Sequence, residues 1–66
     1  MNELRRAILR AEIATIADLR ERIDRLRDAE IKSGKEGRVD AIDSLSEASQ
    51  TLLAVMGLLL RAKRCQ

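Results

Sequence analysis

The six residues SGKEGR, at positions 33–38, are the main interruption in a chain that otherwise favours α-helix. Two closely spaced glycines in a stretch without an apolar residue are typical of a helix C-cap and turn. The rest of the sequence has no proline and is rich in Ala, Leu, Ile, Arg and Glu, most of which favour helix. We therefore predict one all-α domain over 1–66, an antiparallel, coiled-coil-like two-helix hairpin with helix 2–32, turn 33–39 and helix 40–63.

Regularly spaced aliphatic residues indicate which faces of the two helices meet. In the first helix the expected stripe, at 3,4,3 spacing, is Ile16, Leu19, Ile23 and Leu26. In the second helix a similar repeat runs through Ile42, Leu45, Ser49, Leu52, Met56 and Leu59. Residues whose numbers add to about 70 should lie side by side in such a hairpin. An alternative start for the second helix is the capping box Ser44-Leu45-Ser46-Glu47.

The run ASQTLLAVMGLLL, residues 48–60, carries more apolar surface than contact with one neighbouring helix covers. Thirteen uncharged residues span about 20 Å, short of the ~30 Å hydrocarbon core of a bilayer, so we expect no membrane insertion. A chain of 66 residues is also short enough to need an additional source of stability. We therefore expect an oligomeric helical interface, formed with another copy or with another protein.

The excess apolar residues fall near the open end of the hairpin, on more than one face. In the second helix Leu53, Gly57 and Leu60 form one additional face, while Val55, Leu58 and Ala62 form another. Gly57 costs a helix about 1 kcal/mol relative to alanine, and is either simply tolerated or allows another helix to approach closely. The predicted partner-binding residues are Leu4, Ile8, Leu53, Val55, Leu58 and Leu60.

Catalytic and metal-binding chemistry has little to build on in this sequence. The chain has no histidine or tyrosine and a single cysteine, Cys65, so it offers neither a Cys/His zinc site nor an internal disulfide. The segment SGKEG lacks the spacing of a phosphate-binding loop. We expect no enzymatic activity, no cofactor and no bound metal. Arginines interrupt the apolar residues near the N-terminus, so no signal peptide is predicted and a cytoplasmic location is expected.

Three segments resemble the YscE/PscE family of small type III secretion co-chaperones. They are the opening MNELRRAI with Leu4 and Ile8, the first-helix end and turn RLRDAEIKSGK, and the second-helix segment EASQTLLAVMGLLL. The aliphatic positions of that second helix are matched by Ala48, Leu52, Val55 and Met56. The resemblance implies a heterodimer with a tetratricopeptide-repeat chaperone that keeps the needle subunit soluble in the bacterial cytoplasm. It also implies self-association when the small protein is alone.

Two other functions remain open from the sequence. One is a homodimeric four-helix bundle that binds RNA, for which Arg6, Arg10, Arg20 and Arg27 are the candidate basic stripe. Acidic residues interrupt that stripe and no aromatic residue is present for base stacking, so nucleic acid is the weaker expectation. The other is a small phage or regulatory protein that masks a host protein.

Overall fold

The computed structural model describes residues 2–65 and consists of two antiparallel α-helices joined by a short turn. Helix α1 spans Asn2–Ser33 and helix α2 spans Val39–Arg64. The two helices pack against each other in a rod whose Cα extents are 53 × 14 × 9 Å. The predicted all-α hairpin is confirmed, and α1 ends, while α2 begins, one residue closer to the turn than expected.

The turn depends on two glycines in left-handed backbone conformations. Gly34 has φ 62° and Gly37 has φ 81°, a region that residues with a side chain rarely occupy. The Gly34 N–H donates to a backbone carbonyl three residues earlier at 3.3 Å, and the Ser33 hydroxyl donates to the Glu30 carbonyl at 2.7 Å. These bonds satisfy carbonyl groups that the end of α1 leaves without helical partners. The glycines therefore end α1 and reverse the chain.

Helix α2 begins without a side-chain cap. Its N-cap residue is Arg38, which makes no capping hydrogen bond from its side chain. Arg38 instead lies 3.4 Å from Glu30 of α1, so an ion pair joins the two helices at the turn. The alternative start at the Ser44–Glu47 capping box is wrong, because those residues lie within the helix.

The contact between the helices uses the expected face of α2. All six residues of the predicted repeat are half-buried or buried: Ile42, Leu45, Ser49, Leu52, Met56 and Leu59. Ser49 is the most enclosed, with 2% of its surface exposed. A small residue at this position leaves space for a larger side chain from α1.

The face that α1 presents to α2 differs from the predicted one. Ile16 and Ile23 are half-buried as expected, but Leu19 and Leu26 are 43% and 58% exposed. Except for Asp24, the half-buried residues of α1 instead follow a repeat that includes charged side chains: Leu9, Ile13, Ile16, Arg20, Ile23, Arg27 and Glu30. The predicted stripe is therefore confirmed only in part, because α2 leaves Leu19 and Leu26 exposed.

Arginine replaces leucine in that contact because the open end sets the rotation of α1. Leu9, Ile13 and Ile16 face α2, and continuing their 4,3 spacing along the helix turns Arg20 inward rather than Leu19. An arginine suits a half-buried position because its aliphatic stem covers apolar surface while its charged group reaches the edge. The Arg20 Nε donates to the Ser49 carbonyl at 3.3 Å. The two residue numbers add to 69, close to the expected 70.

No apolar side chain is fully buried among the described residues. The contact between α1 and α2 contains half-buried aliphatic residues, and its only fully buried side chain is that of Ser49. Two helices can cover only one stripe of each other, so their remaining apolar residues stay exposed. The hairpin positions these exposed residues on its outer faces.

Candidate protein-binding faces

Nine large aliphatic side chains are exposed in the described part of the chain: Leu4, Ile8, Leu19, Leu26, Ile31, Val39, Leu53, Leu58 and Leu60. Five of them lie in the open half of the hairpin, which comprises residues 3–17 of α1 and 52–64 of α2. Large contiguous apolar patches are unusual on monomeric proteins and mark interaction surfaces. The open half therefore contains the strongest candidate site.

One broad side of the hairpin, which we call the aliphatic face, carries Ile8, Leu19 and Leu26 of α1, with charged and polar residues between them, and Ala48, Val55 and Ala62 of α2. A groove of about 450 Å³ on this face is lined partly by Leu19, Ser44, Ala48 and Thr51. A second groove nearer the open end is lined by Arg5, Ile8, Leu9 and Ala62. Because Ala48, Val55 and Ala62 are seven residues apart in α2, they share this face. The two grooves therefore belong to one surface along the hairpin.

The opposite side of α2 carries the notched face, defined by Leu53, Gly57 and Leu60. These residues are spaced by four and three positions, so they adjoin on the helix surface. All three are exposed. A Cβ atom built on Gly57 would meet no neighbouring atom within 4 Å, so the contact with α1 does not require glycine there. The gap between the two leucines is open to an approaching molecule.

A basic groove borders the notched face at the open end. It is lined by Leu60 and by four cationic side chains, those of Arg6, Arg10, Lys63 and Arg64. Arg6 and Arg10 come from α1 while Lys63 and Arg64 come from α2, so only the antiparallel fold brings them together. Sequence analysis missed this cluster because each pair is short and unremarkable in the linear sequence. The pairing rule that adds residue numbers to about 70 could have found it.

The basic groove reflects an uneven distribution of charge along the hairpin. Residues 1–12 and 58–66 contain six basic and two acidic side chains, whereas residues 13–57 contain seven basic and nine acidic ones. Every ion pair found among the described residues lies between Asp18 and Arg38. The cations of the open end are thus available for an acidic partner.

The six predicted partner-binding residues do not form one continuous surface. Leu53 and Leu60 belong to the notched face, whereas Ile8 and Val55 belong to the aliphatic face. The outer edge of the aliphatic face carries Leu58, which is one heptad from Thr51. Five of the six are exposed and Val55 is half-buried. The structure therefore divides the predicted site into two faces that different molecules can cover at once.

The predicted basic stripe for RNA is also divided. Arg20 and Arg27 are half-buried between the helices, where Arg20 bonds the Ser49 carbonyl and Arg27 lies 3.8 Å from Asp24. Arg6 and Arg10 lie in the basic groove. The four arginines therefore do not form one exposed stripe.

Residues 2–65 offer little basis for a metal site or a membrane span. They contain no group of three or more potential metal-ligating side chains. Neither helix in this range has a stretch long and apolar enough to cross a membrane.

Comparisons with known proteins identify no relative of this chain. No protein-family model matches it, and no curated protein or solved structure gives a significant match. The geometry of the two faces and the basic groove is therefore the basis for a functional proposal.

Proposed function

We propose that this protein is a small helical adaptor that binds a helical partner protein through the open end of its hairpin. The observation that carries this proposal is the combination of no fully buried apolar side chain in the described chain with nine exposed large aliphatic ones. Small domains with so little core normally depend on an additional interaction for stability. A partner that covers the exposed leucines supplies that interaction.

The notched face is the part of the open end best suited to another helix. Leu53 and Leu60 flank Gly57, and a glycine between two larger residues lets a second helix approach closely. Burying a fully exposed leucine contributes about 1.5 to 3 kcal/mol, and Leu53 and Leu60 have 44% and 41% of their surface left for a partner to cover. The two leucines provide apolar contact and the glycine provides the space for it.

The basic groove adds a charge requirement for the partner. Arg6, Arg10, Lys63 and Arg64 lie beside Leu60, so the complementary surface combines an apolar stripe with a flanking acidic edge. Charge at the rim of an interface mainly affects the association rate and the choice of partner. An acidic amphipathic helix fits both features.

In its most specific form, this adaptor is a type III secretion co-chaperone. Its partner is then a tetratricopeptide-repeat chaperone that holds the needle subunit soluble in the bacterial cytoplasm. The resemblance of the three sequence segments supports this form, and the exposed faces of a bare hairpin support it independently. Repeat proteins of this kind stack helix pairs and offer extended helical surfaces.

The proposal is tested by purifying the tagged full-length chain from its native organism and identifying its partner by mass spectrometry. The binding constant is then measured with both proteins purified. We expect a helical-repeat protein, and we expect Leu53→Asp or Leu60→Asp to weaken binding by about 100-fold or more, as for the central residues of other interfaces. Val39→Asp is the matched control, because it also charges an exposed aliphatic residue but lies at the turn.

The notched face has its own diagnostic substitution. Gly57→Ala should stabilise the isolated chain by about 1 kcal/mol through helix propensity. The same change should weaken partner binding, because the added methyl group occupies the space between the leucines. Thermal unfolding and titration calorimetry measure the two effects. Unchanged partner binding by Gly57→Ala, Leu53→Asp and Leu60→Asp together would contradict the proposed site.

An anionic nucleic acid is the second candidate partner, favoured by one observation. Four cationic side chains line the basic groove. Binding of mixed-sequence RNA should then be measurable at low salt and should weaken steeply as salt increases. Combined Arg6→Glu and Arg64→Glu substitutions should abolish it. No binding at low salt rules this candidate out.

A further inference from the structure

We propose that the aliphatic face binds a second copy of this chain, with the two hairpins antiparallel in a symmetric four-helix bundle. The notched face and the basic groove stay on the outside of this dimer. The inference is independent of the proposed adaptor function, because it concerns the opposite side of the hairpin and the purified chain alone.

Along the aliphatic face, α1 carries a sequence of side chains that is complementary to the same sequence read in the opposite direction. The exposed positions with 4,3,4,3,4 spacing are Ile8, Glu12, Thr15, Leu19, Arg22 and Leu26. Suppose that α1 of each copy runs antiparallel to α1 of the other, with the twofold axis at the level of Ala17. Ile8 then lies opposite Leu26 of the second copy. Glu12 then lies opposite Arg22, and Thr15 opposite Leu19, so aliphatic residues meet and opposite charges meet.

The residues of α2 on the same face show the same property. The relevant positions are Ser44, Ala48, Thr51, Val55, Leu58 and Ala62. With the twofold axis at the level of Leu53, Ala48 lies opposite Leu58 of the second copy. Thr51 then lies opposite Val55, and Ser44 lies opposite Ala62. Smaller residues thus meet larger ones, which suits close helix packing.

The two symmetry centres lie at the same height in the hairpin. One centre is level with Ala17 in α1 and the other with Leu53 in α2. Their residue numbers add to 70, and the Arg20–Ser49 hydrogen bond shows that residues with this sum lie side by side. A single twofold axis across the aliphatic face therefore generates both sets of contacts, as an isologous dimer requires.

Burial of this face leaves few polar groups without partners. The Thr15 hydroxyl donates to the Ala11 carbonyl and the Thr51 hydroxyl donates to the Glu47 carbonyl, each at 2.9 Å. Because these hydroxyl groups are already bonded within their own helices, only their methyl groups need face the second copy. Unpaired polar groups would otherwise oppose the association.

The surface area of the chain agrees with one dimer interface. The chain exposes 5185 Å², whereas a compact monomer of its 7.4 kDa mass is expected to expose about 4,200 Å². The excess is roughly 1,000 Å², and a standard protein interface buries about 800 Å² from each partner. One face covered by a second copy accounts for this excess.

Charge favours the antiparallel arrangement over the parallel one. The terminal segments 1–12 and 58–66 contain six basic and two acidic residues, whereas the first half of α2 contains Asp40, Asp43 and Glu47 and no basic residue. An antiparallel dimer places Asp43 level with Lys63 of the second copy. A parallel dimer would place the two basic ends together.

The first test is sedimentation equilibrium of the purified full-length chain. We expect a species with twice the 7.4 kDa chain mass. Leu19→Asp should raise the dimer dissociation constant by about 100-fold or more. Leu53→Asp is the matched control, since Leu19 and Leu53 are 43% and 44% exposed but lie on opposite faces, and it should leave the dimer intact.

A charge reversal tests the register, with the free energy of unfolding of each variant measured alongside because Arg22 also pairs with Asp18 at 3.0 Å. Glu12→Arg and Arg22→Glu each place like charges opposite each other, and each should weaken the dimer by about tenfold. The double variant restores opposite charges and should recover wild-type affinity. Since the two residues are too far apart in α1 to contact each other, recovery requires the second copy.

The orientation is tested with a spin label on the exposed Cys65. Cys65 lies twelve residues beyond Leu53, so two labels in the antiparallel dimer are roughly 36 Å apart along the bundle. A parallel dimer would bring them within about 20 Å, given helix separations of ~10 Å. A short distance, a monomer at high concentration, or equal disruption by Leu19→Asp and Leu53→Asp would overturn the proposal.

Discussion

The open half and the turn half of this hairpin are stabilised by different interactions. In the open half, Leu9, Ile13 and Ile16 face the apolar residues of α2, and further leucines remain exposed. In the turn half, Arg20, Arg27 and Glu30 occupy the corresponding positions. All ion pairs of the described chain fall in residues 18–38.

This difference shows that apolar surface and charge have separate roles in the molecule. The turn half exposes fewer large aliphatic residues than the open half, and it contains every ion pair found among the described residues. The open half has more apolar surface than the hairpin covers, and its cations remain available. The basic groove and the notched face therefore lie at the open end, while glycines and ion pairs define the turn end.

The largest predicted effect is the loss of stability when a half-buried leucine of the open half is truncated. Leu52→Ala should reduce the free energy of unfolding by about 2 to 3 kcal/mol, the lower part of the range for leucine truncation, because Leu52 is half-buried. Leu45→Ala, in the turn half, should cost about 1 kcal/mol less because the half-buried positions of α1 in that half include Arg20, Arg27 and Glu30. Urea unfolding at one protein concentration measures both. Equal losses would show that the halves are alike.

A smaller effect, this time a gain in the free energy of unfolding, is expected where Arg20 lies between the helices. Arg20→Leu should raise the free energy of unfolding by about 1 kcal/mol, since an apolar residue in a half-buried polar position is often neutral or stabilising. Arg20→Ala should lower it by about 1 kcal/mol, because both variants lose the hydrogen bond to the Ser49 carbonyl but only alanine leaves the surface under the arginine stem uncovered. Thermal unfolding distinguishes the two variants, and a loss with Arg20→Leu would show that the arginine is required.

The smallest effect concerns the exposed ion pairs of the turn half. Arg25→Ala removes a contact of 2.6 Å with Glu21, yet both side chains are largely exposed. Such a pair contributes about 0.3 to 0.5 kcal/mol, and added salt should reduce that contribution. Unfolding measured at low and high salt tests this. A loss above about 1 kcal/mol would show that this pair contributes more than an ordinary exposed ion pair.

Much of the fold was predictable because local signals agreed. The two glycines fixed the turn, and the repeat from Ile42 to Leu59 gave the correct face of α2. The face of α1 was less predictable, since Leu19 and Leu26 form as regular a pattern as Arg20 and Arg27. A hydrophobic pattern favours leucine inward, but a continuous helix has one rotation, and the longer apolar segment at the open end determined it.

The candidate site was predicted in part, as exposed leucines at the open end. Its division into two faces depends on how Ile8 and Leu60 project from different helices around a shared contact. The basic groove was missed because Arg6 and Arg64 are distant in sequence. Side chains that meet only after the chain reverses leave no local signal, so their assembly has to be read from the hairpin itself.

The sequence by itself determined that this chain is helical, where it turns, and that its aliphatic residues exceed what two helices cover. Helix propensity, glycine conformation and residue spacing are local properties, and each acts over a few positions. The tertiary structure decided which leucines face outward and which cations gather at the open end. Those outcomes depend on the rotation and register of one helix against the other, which packing along the whole contact determines.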